Sequence, residues 1–338
     1  MPRVLLTQSI HPLAQARLAE LAELVVAPDT TPETLRGSAA GCEVVMVRAQ
    51  LPADIFDAAP SLIGAVRHGA GVDMIPIEAA TLHGVLVANV PGVNANAVAE
   101  HVLRSMLQLA RGSGAVAAEL ATTRSAGWAR ARALADSGFE LRGRTVGVVG
   151  FGHVGQAVVR VCTQGMGMRA LALARSTLPD NATAQRVKLD ELLTTSDFVV
   201  LACPLNDSTR GLIGPAQVAM MRPGAYLINV ARGPVVNEVA LVDALRSGRI
   251  AGAALDVFDT QPLPDTHPFW QMPQVVLTPH VAGLTEDSMI AMGTEAVLAV
   301  EHLLCGKVPP HCINPEAVPA FELRWRLATQ APGDDQRT

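Results

Sequence analysis

Cysteine is scarce. Cys42, Cys162, Cys203, Cys305 and Cys312 are odd in number, far apart, and never arranged as C-x-x-C, which excludes a disulfide framework and the usual zinc spacing. They read as buried free thiols. Long hydrophobic runs are absent too: the chain is 49% apolar, yet every stretch is broken well short of the roughly 20 residues that span a bilayer. The N-terminal segment MPRVLLTQSIHPLAQ has only Val4 to Leu6 as an apolar run, too short for a secretory signal, so the expected location is the cytoplasm. Basic clusters are missing as well. With 26 Lys and Arg against 31 Asp and Glu the net charge is -5, which leaves no electrostatic footprint for nucleic acid or an anionic membrane. Small molecules are the expected partners. No internal repeat or low-complexity segment is present.

What is there is alternation. The 338 residues suit two domains. Over the first hundred, the β-like runs RVLL, LVVA, EVVMVR, IGAVRHG and VLVAN alternate with helical stretches at 12–23, 32–40, 52–59 and 76–83. Such alternation predicts a parallel sheet with crossover helices. In the next helical stretch Ala99, Val102, Leu103, Met106, Leu107 and Ala110 share one face, and Gly112 and Gly114 end it. That face suits packing within one chain or against a second copy. From 145 a second block follows: TVGVVG, MRALALA, DFVVLAC, AYLINVA, IAGAALDV and VVLTPH, with helices near 188–195, 215–221 and 237–247. A last helix is predicted over 286–304, with Glu286 and Asp287 in its first turn and Gly306 just past its end. The polar tail after about 320 is expected to fray.

TVGVVGFGHVGQAVVRVC carries the strongest local signal. A β-like run leads into Gly150-x-Gly152-x-x-Gly155, enclosing His153 and Val154, and a helical pattern follows. The glycines serve a tight turn, close backbone approach to a pyrophosphate, and helix-on-strand packing. In NAD-binding versions an acid about 20 residues on receives the ribose hydroxyls. Here MRALALARST places Ala174 and Arg175 at that strand end, with Ser176 and Thr177 next and the first carboxylate, Asp180, beyond a proline. Arg175 suits a 2'-phosphate that an acid would repel, so NADPH is expected over NADH, with NAD as the alternative cofactor.

With VRHGAGVD, NANAVAEHV, the glycine turn, CPLNDSTRGLIG, LINVARGPVVNEVALVDAL, GAALDVFDTQPLP and LTPHVAG in this order, nearly the whole chain resembles the D-isomer-specific 2-hydroxyacid dehydrogenases. The resemblance implies an α/β protein of two doubly wound parallel-sheet domains. One is a flavodoxin-like substrate domain, discontinuous over 1–98 and 288–338, and the other a Rossmann cofactor domain over 99–287. A homodimer is implied as well.

Chemistry points to the same residues. Hydride delivery to a 2-oxoacid needs a cation for the carboxylate and carbonyl, and a proton donor for the developing alkoxide. Arg232 follows the strand AYLINVA and His280 follows VVLTP, and ligands collect at the carboxyl ends of such strands. The resemblance assigns them carboxylate/carbonyl binding and acid/base chemistry respectively. It assigns Arg48, Asn94 and the backbone at Ala70 and Gly71 to the substrate, Asp256 to the nicotinamide amide, and Cys203, Pro204, Thr209, Val230 and Ala231 to the cofactor lining. One departure stands out. Where most of the family pairs the histidine with glutamate, this chain has Gln261, as formate dehydrogenases do. A neutral amide orients the ring without raising its pKa, so reduction is expected to fall off at lower pH than in relatives bearing glutamate.

The reaction expected is reduction of a small 2-oxoacid such as glyoxylate or hydroxypyruvate. Formate oxidation is the runner-up: Gln261 favours it, while Ala282 and the lack of a long N-terminal extension weigh against it. Phosphoglycerate oxidation ranks lower, since the tail leaves no room for a regulatory domain. The non-enzymatic alternative is a nicotinamide-sensing corepressor, against which the presence of Arg232 and His280 speaks.

Overall fold

The computed structural model describes residues 1–330, and two compact units emerge: Met1–Asn94 with the chain from Thr285 onward, and Ala95–Leu284. These boundaries fall a few residues before those expected at 98/99 and 287/288. Local chemistry explains why. The helix Ala95–Arg111 belongs whole to the second unit, and Thr285 caps the helix Glu286–Leu304 by exchanging hydrogen bonds with Ser288, so it goes with that helix to the first.

The first unit holds five parallel strands, β1 (Arg3–Leu6), β2 (Glu23–Val26), β3 (Val44–Val47), β4 (Gly64–Arg67) and β5 (Leu86–Ala88), in the order β2-β1-β3-β4-β5. Where both faces are covered the strands are apolar throughout, as in β3 and β5, while β1, β2 and β4 each carry one charged residue at an end, Arg3, Glu23 and Arg67. Val4, Leu6, Val44 and Met46 pack against helices Pro12–Ala19 and Glu286–Leu304, while Leu5, Val45 and Val47 face the layer that includes Leu35 and Phe56.

The tail departs from expectation. Instead of fraying after 320, Val318–Gln330 is a helix: Phe321 is fully buried and Arg324 donates to the carbonyls of His83 (2.7 Å) and Pro60 (2.6 Å). Polar residues looked like a loose end because an arginine bound to backbone carbonyls is indistinguishable in sequence from a solvated one. Residues 331–338 lie outside the described chain.

The second unit holds seven parallel strands: β6 (Thr145–Val149), β7 (Arg169–Leu173), β8 (Gln185–Arg186), β9 (Phe198–Leu201), β10 (Tyr226–Asn229), β11 (Gly252–Leu255) and β12 (Val275–Leu277). Their order is β12-β11-β10-β9-β6-β7-β8, so connections run one way from β6 to β8 and the other way from β9 to β12. The reversal between β6 and β9 opens a crevice at the strands' carboxyl ends. Ala99, Val102, Met106 and Ala110 pack on Val146, Val148, Phe198 and Val200, so most of the apolar face of helix 95–111 is internal, while Leu107 stays 40% exposed.

A second feature escaped the sequence pattern. Beyond Gly112 the chain forms a helical hairpin, Ser113–Thr123 and Trp128–Ala135, tied by Arg130 to Glu119 at 2.7 Å. Helix 113–123 buries none of its residues, and Trp128 is 66% exposed.

Candidate active site

The glycine turn is built for a close ligand. Gly150 takes φ +98°, and a Cβ there would lie 2.8 Å from the Ala202 and Cys203 backbone. At Gly155 a Cβ would come within 2.1 Å of the Gly150 carbonyl oxygen, so helix His153–Arg160 rests directly on the turn. Gly152 is different: a Cβ there would meet nothing within 4 Å and would fill open space before the helix N-terminus, which has no side-chain cap. A pyrophosphate fits that cradle, because free amides and the helix dipole both favour an anion.

The turn borders a cavity of about 440 Å³ reached by the ends of β6, β7 and β9, at the reversal of strand order. Gly150, Gly152, Arg175, Ser176, Cys203, Pro204 and Thr209 line it, and none of its lining residues is acidic. His153, Val154, Gly155, Thr177, Val230, Ala231 and Asp256 lie outside the lining. Thr209 holds its loop by donating to the Pro204 carbonyl at 2.7 Å and accepting from Asn206 N–H at 2.8 Å. Burial pushes the Cys203 thiol up, so it lines the cavity as a neutral group.

Sequence reading missed Arg186. From β8 its guanidinium donates to the carbonyls of Ala174 and Arg175, both at 3.1 Å, and brings a second positive charge to the β7 end. A two-residue strand has no periodicity, so nothing in the sequence marked it.

In the first unit the loop after β4 has its carbonyls tied. Gly69 accepts from Val90 N–H at 2.9 Å, Ala70 from Asn89 Nδ2 at 2.7 Å, and Gly71 from Arg67 Nε at 3.0 Å. Arg67 also donates to Val47 and His68 carbonyls at 2.9 and 2.6 Å. The amides of Ala70 and Gly71 have no acceptor among the described residues. A pair of unspent N–H groups has the chemistry to receive an anion such as a carboxylate. Arg48 lies at the end of the adjacent strand β3, its N–H on Thr7 Oγ1 at 2.8 Å and its guanidinium on the Ser9 carbonyl. His68, 3% exposed, is pushed down to about 4 by burial and then by the Arg48 charge, so it stays neutral at physiological pH. Asn94 is half-buried at the end of this unit's first segment.

In the second unit Arg232, Gln261 and His280 follow β10, β11 and β12, three strands paired side by side. Adjacent strands lie about 4.8 Å apart, so the three loops share one edge of the sheet. Gly233 is required there: a Cβ would sit 2.0 Å from the Phe258 carbonyl carbon, which is how the Arg232 loop rests on the strand end leading to Gln261. Arg232 donates to the Ala231 carbonyl at 2.8 Å, and Asn229 clamps the loop by donating to the Arg232 carbonyl at 3.0 Å. His280 is exposed and takes φ +57°, rare for a non-glycine residue. Its N–H donates to the Asp256 carbonyl at 2.8 Å. The Asp256 side chain, 2% exposed, is spent on the same turn: it accepts from Thr278 Oγ1 (2.6 Å), Val281 N–H (2.9 Å) and Ala282 N–H (2.9 Å).

Among the described residues no group of His, Cys, Asp or Glu is placed to hold a metal, and no helix is long and apolar enough to cross a membrane.

A parallel sheet with this glycine turn at its switch point defines a dinucleotide-binding protein of the Rossmann class. More particularly, the chain belongs to the D-isomer specific 2-hydroxyacid dehydrogenase family, whose NAD-binding-domain model matches residues 103–282. A glyoxylate reductase of Thermococcus onnurineus is 39% identical over 293 residues, covering 82% of this chain and 85% of the relative. A D-3-phosphoglycerate dehydrogenase of Mycobacterium leprae is 35% identical over 322 residues; the match covers 93% of this chain but only 59% of that protein. Among solved structures, an NADPH-dependent glyoxylate/hydroxypyruvate reductase of Sinorhizobium meliloti, in complex with NADP and malonate, superposes with TM-score 0.81 at 28% identity, covering 94% of this chain and 98% of the other.

Proposed function

We propose that this chain reduces small 2-oxoacids to 2-hydroxyacids with NADPH in preference to NADH. The observation that carries the reading is the delivery of Arg232, Gln261 and His280 by three neighbouring strand ends of the sheet that also builds the glycine-turn cavity. Glyoxylate and hydroxypyruvate head the substrate list because relatives of comparable length are named for them.

The glycine turn would hold a nicotinamide dinucleotide, which in its reduced form would supply the hydride. Arg232 draws electron density from the substrate carbonyl and pairs with the carboxylate, and its planar fork suits both oxygens. The amides of Ala70 and Gly71, with Arg48 and Asn94, are the substrate contacts that the family resemblance implies. His280 gives its proton to the carbonyl oxygen as the alkoxide develops, so substrate, reduced cofactor and one proton become 2-hydroxyacid and oxidised cofactor. Gln261 orients the imidazole without adding charge.

The test is the initial rate at 340 nm with NADPH and NADH, each offered glyoxylate, hydroxypyruvate, pyruvate and phenylpyruvate. Faster turnover with NADPH and a small oxoacid is the expected result; no turnover with any pair would overturn the reading. A second reading, formate oxidation, rests on Gln261 alone, and formation of reduced cofactor from formate measures it directly.

The hairpin at 113–135 supports a further part of the proposal, that the protein is a homodimer. Its helices leave Trp128 and Leu134 bare, an apolar surface of the kind that a second copy covers. The wild-type chain should sediment at twice 35.4 kDa. Trp128→Glu should sediment as a monomer, and two species of equal mass would remove the hairpin from the interface.

A further inference from the structure

His101 sits on helix Ala95–Arg111, and no part of the proposed chemistry uses it. Its Nε2 lies 3.3 Å from Thr278 Oγ1. The direction of that hydrogen bond is forced. Thr278 has one hydroxyl proton, and at 2.6 Å it goes to Asp256 Oδ1, since a carboxylate only accepts. The threonine oxygen therefore accepts, and His101 donates from Nε2. The same Oδ1 also receives the N–H of Val281, Oδ2 receives that of Ala282, and the Asp256 carbonyl receives that of His280. One chain of hydrogen bonds thus runs from a helix side chain into both sides of the turn that carries His280.

The turn has something to resist. At φ +57° the His280 backbone occupies a left-handed state that non-glycine residues rarely adopt, and strained residues persist only where their surroundings over-determine them. Asp256 supplies the acceptors that hold residues 280 to 282. Thr278 restricts the carboxylate, and His101 gives the Thr278 oxygen a second, fixed hydrogen-bond partner. Burial holds the His101 imidazole below its ordinary range, opposed by Asp256 and reinforced by Arg104, so the neutral ring is the working form. Neutral or charged, a ring protonated at Nε2 donates to Thr278 in the same way.

We propose that His101 is a positioning residue for His280, acting through Thr278 and Asp256. The inference rests on the reading of His280 as the proton donor. It also gives the Asp256 carboxylate a task distinct from the nicotinamide contact that the family resemblance implies.

The experiment compares kcat, KM and cofactor Kd in His101→Leu, His101→Gln and Thr278→Val, with His280→Asn alongside. Loss of the donor in His101→Leu should lower kcat about tenfold while KM and the cofactor Kd stay within about twofold, because small misplacements of a reacting group fall on kcat. His101→Gln, which offers an amide N–H at similar reach, should recover kcat to within about threefold of wild type. Thr278→Val removes the link itself and should cost at least as much as His101→Leu, which keeps the test alive if the leucine variant folds poorly. In a His280→Asn background, His101→Leu should cost nothing more, since both act through one group.

Wild-type kcat in His101→Leu, or equal losses in the leucine and glutamine variants with Thr278→Val unaffected, would overturn the positioning role while a dead His280→Asn left the proton-donor reading intact. An active His280→Asn would overturn both.

Discussion

Replacing His280 with asparagine lowers kcat for 2-oxoacid reduction by about 10²- to 10⁴-fold, the usual contribution of a general acid, and leaves the Kd for the reduced cofactor within about twofold. Asparagine is the informative replacement because it tolerates the left-handed backbone that His280 adopts at φ +57°, whereas a β-branched residue would strain the turn. The side chain is exposed and sits outside the lining of the glycine-turn cavity, so its loss touches the chemistry and spares the cofactor. Steady-state kinetics with a fluorescence titration of the cofactor separates the two. A kcat within threefold of wild type would remove His280 from proton transfer.

The same series read against pH tests Gln261. Reduction needs the protonated imidazole, so the rate is lost as pH rises through the histidine pKa. A carboxylate at 261 stabilises the imidazolium, and Gln261→Glu should move that alkaline limb upward by about one pH unit. Superimposable profiles would mean that residue 261 does not sense the ring's charge.

The second large effect is on cofactor choice. Arg175→Asp should lower the ratio of kcat/KM for NADPH over NADH by about 10²-fold. A charge-assisted hydrogen bond is worth roughly 1.5–3 kcal/mol, each 1.4 kcal/mol is a factor of ten, and the new carboxylate adds repulsion toward a 2'-phosphate while offering acceptors to a ribose diol. The native cavity has no acid among its lining residues to perform that second task. Arg186→Gln should have a smaller effect, a few-fold, since its guanidinium is already engaged with the Ala174 and Arg175 carbonyls. An unchanged NADPH-to-NADH ratio in Arg175→Asp would make Arg175 a solvated surface charge and return the cofactor to NAD.

Much of this protein was legible before any coordinate. Strands buried on both faces leave continuous apolar runs such as VVMV and FVVL, and three glycines at fixed offsets after one such run have few other uses. Arg232 and His280 were visible because each follows a strand, and strand ends of a parallel sheet converge on one edge; Gln261 was visible only through the family resemblance, at the place where most members carry glutamate. The hairpin at 113–135 was silent because its helices bury almost nothing within the chain, leaving no amphipathic period to read. Arg186, Arg67 and His101 were silent for another reason. Their partners are backbone carbonyls or a hydroxyl 177 residues away, and a side chain's hydrogen-bond partner leaves no mark on its neighbours in sequence.

The amino-acid sequence by itself determined the two parallel sheets, the glycine turn and the identity of the groups at the strand ends, because periodicity and turn chemistry are local properties. Only the tertiary structure decided that Val318–Gln330 is a helix, that Ala70 and Gly71 keep their amides unspent, and that the buried Asp256 carboxylate is committed to the His280 turn. Each of those is a question of which donor meets which acceptor, and that is set by the approach of segments far apart in the chain.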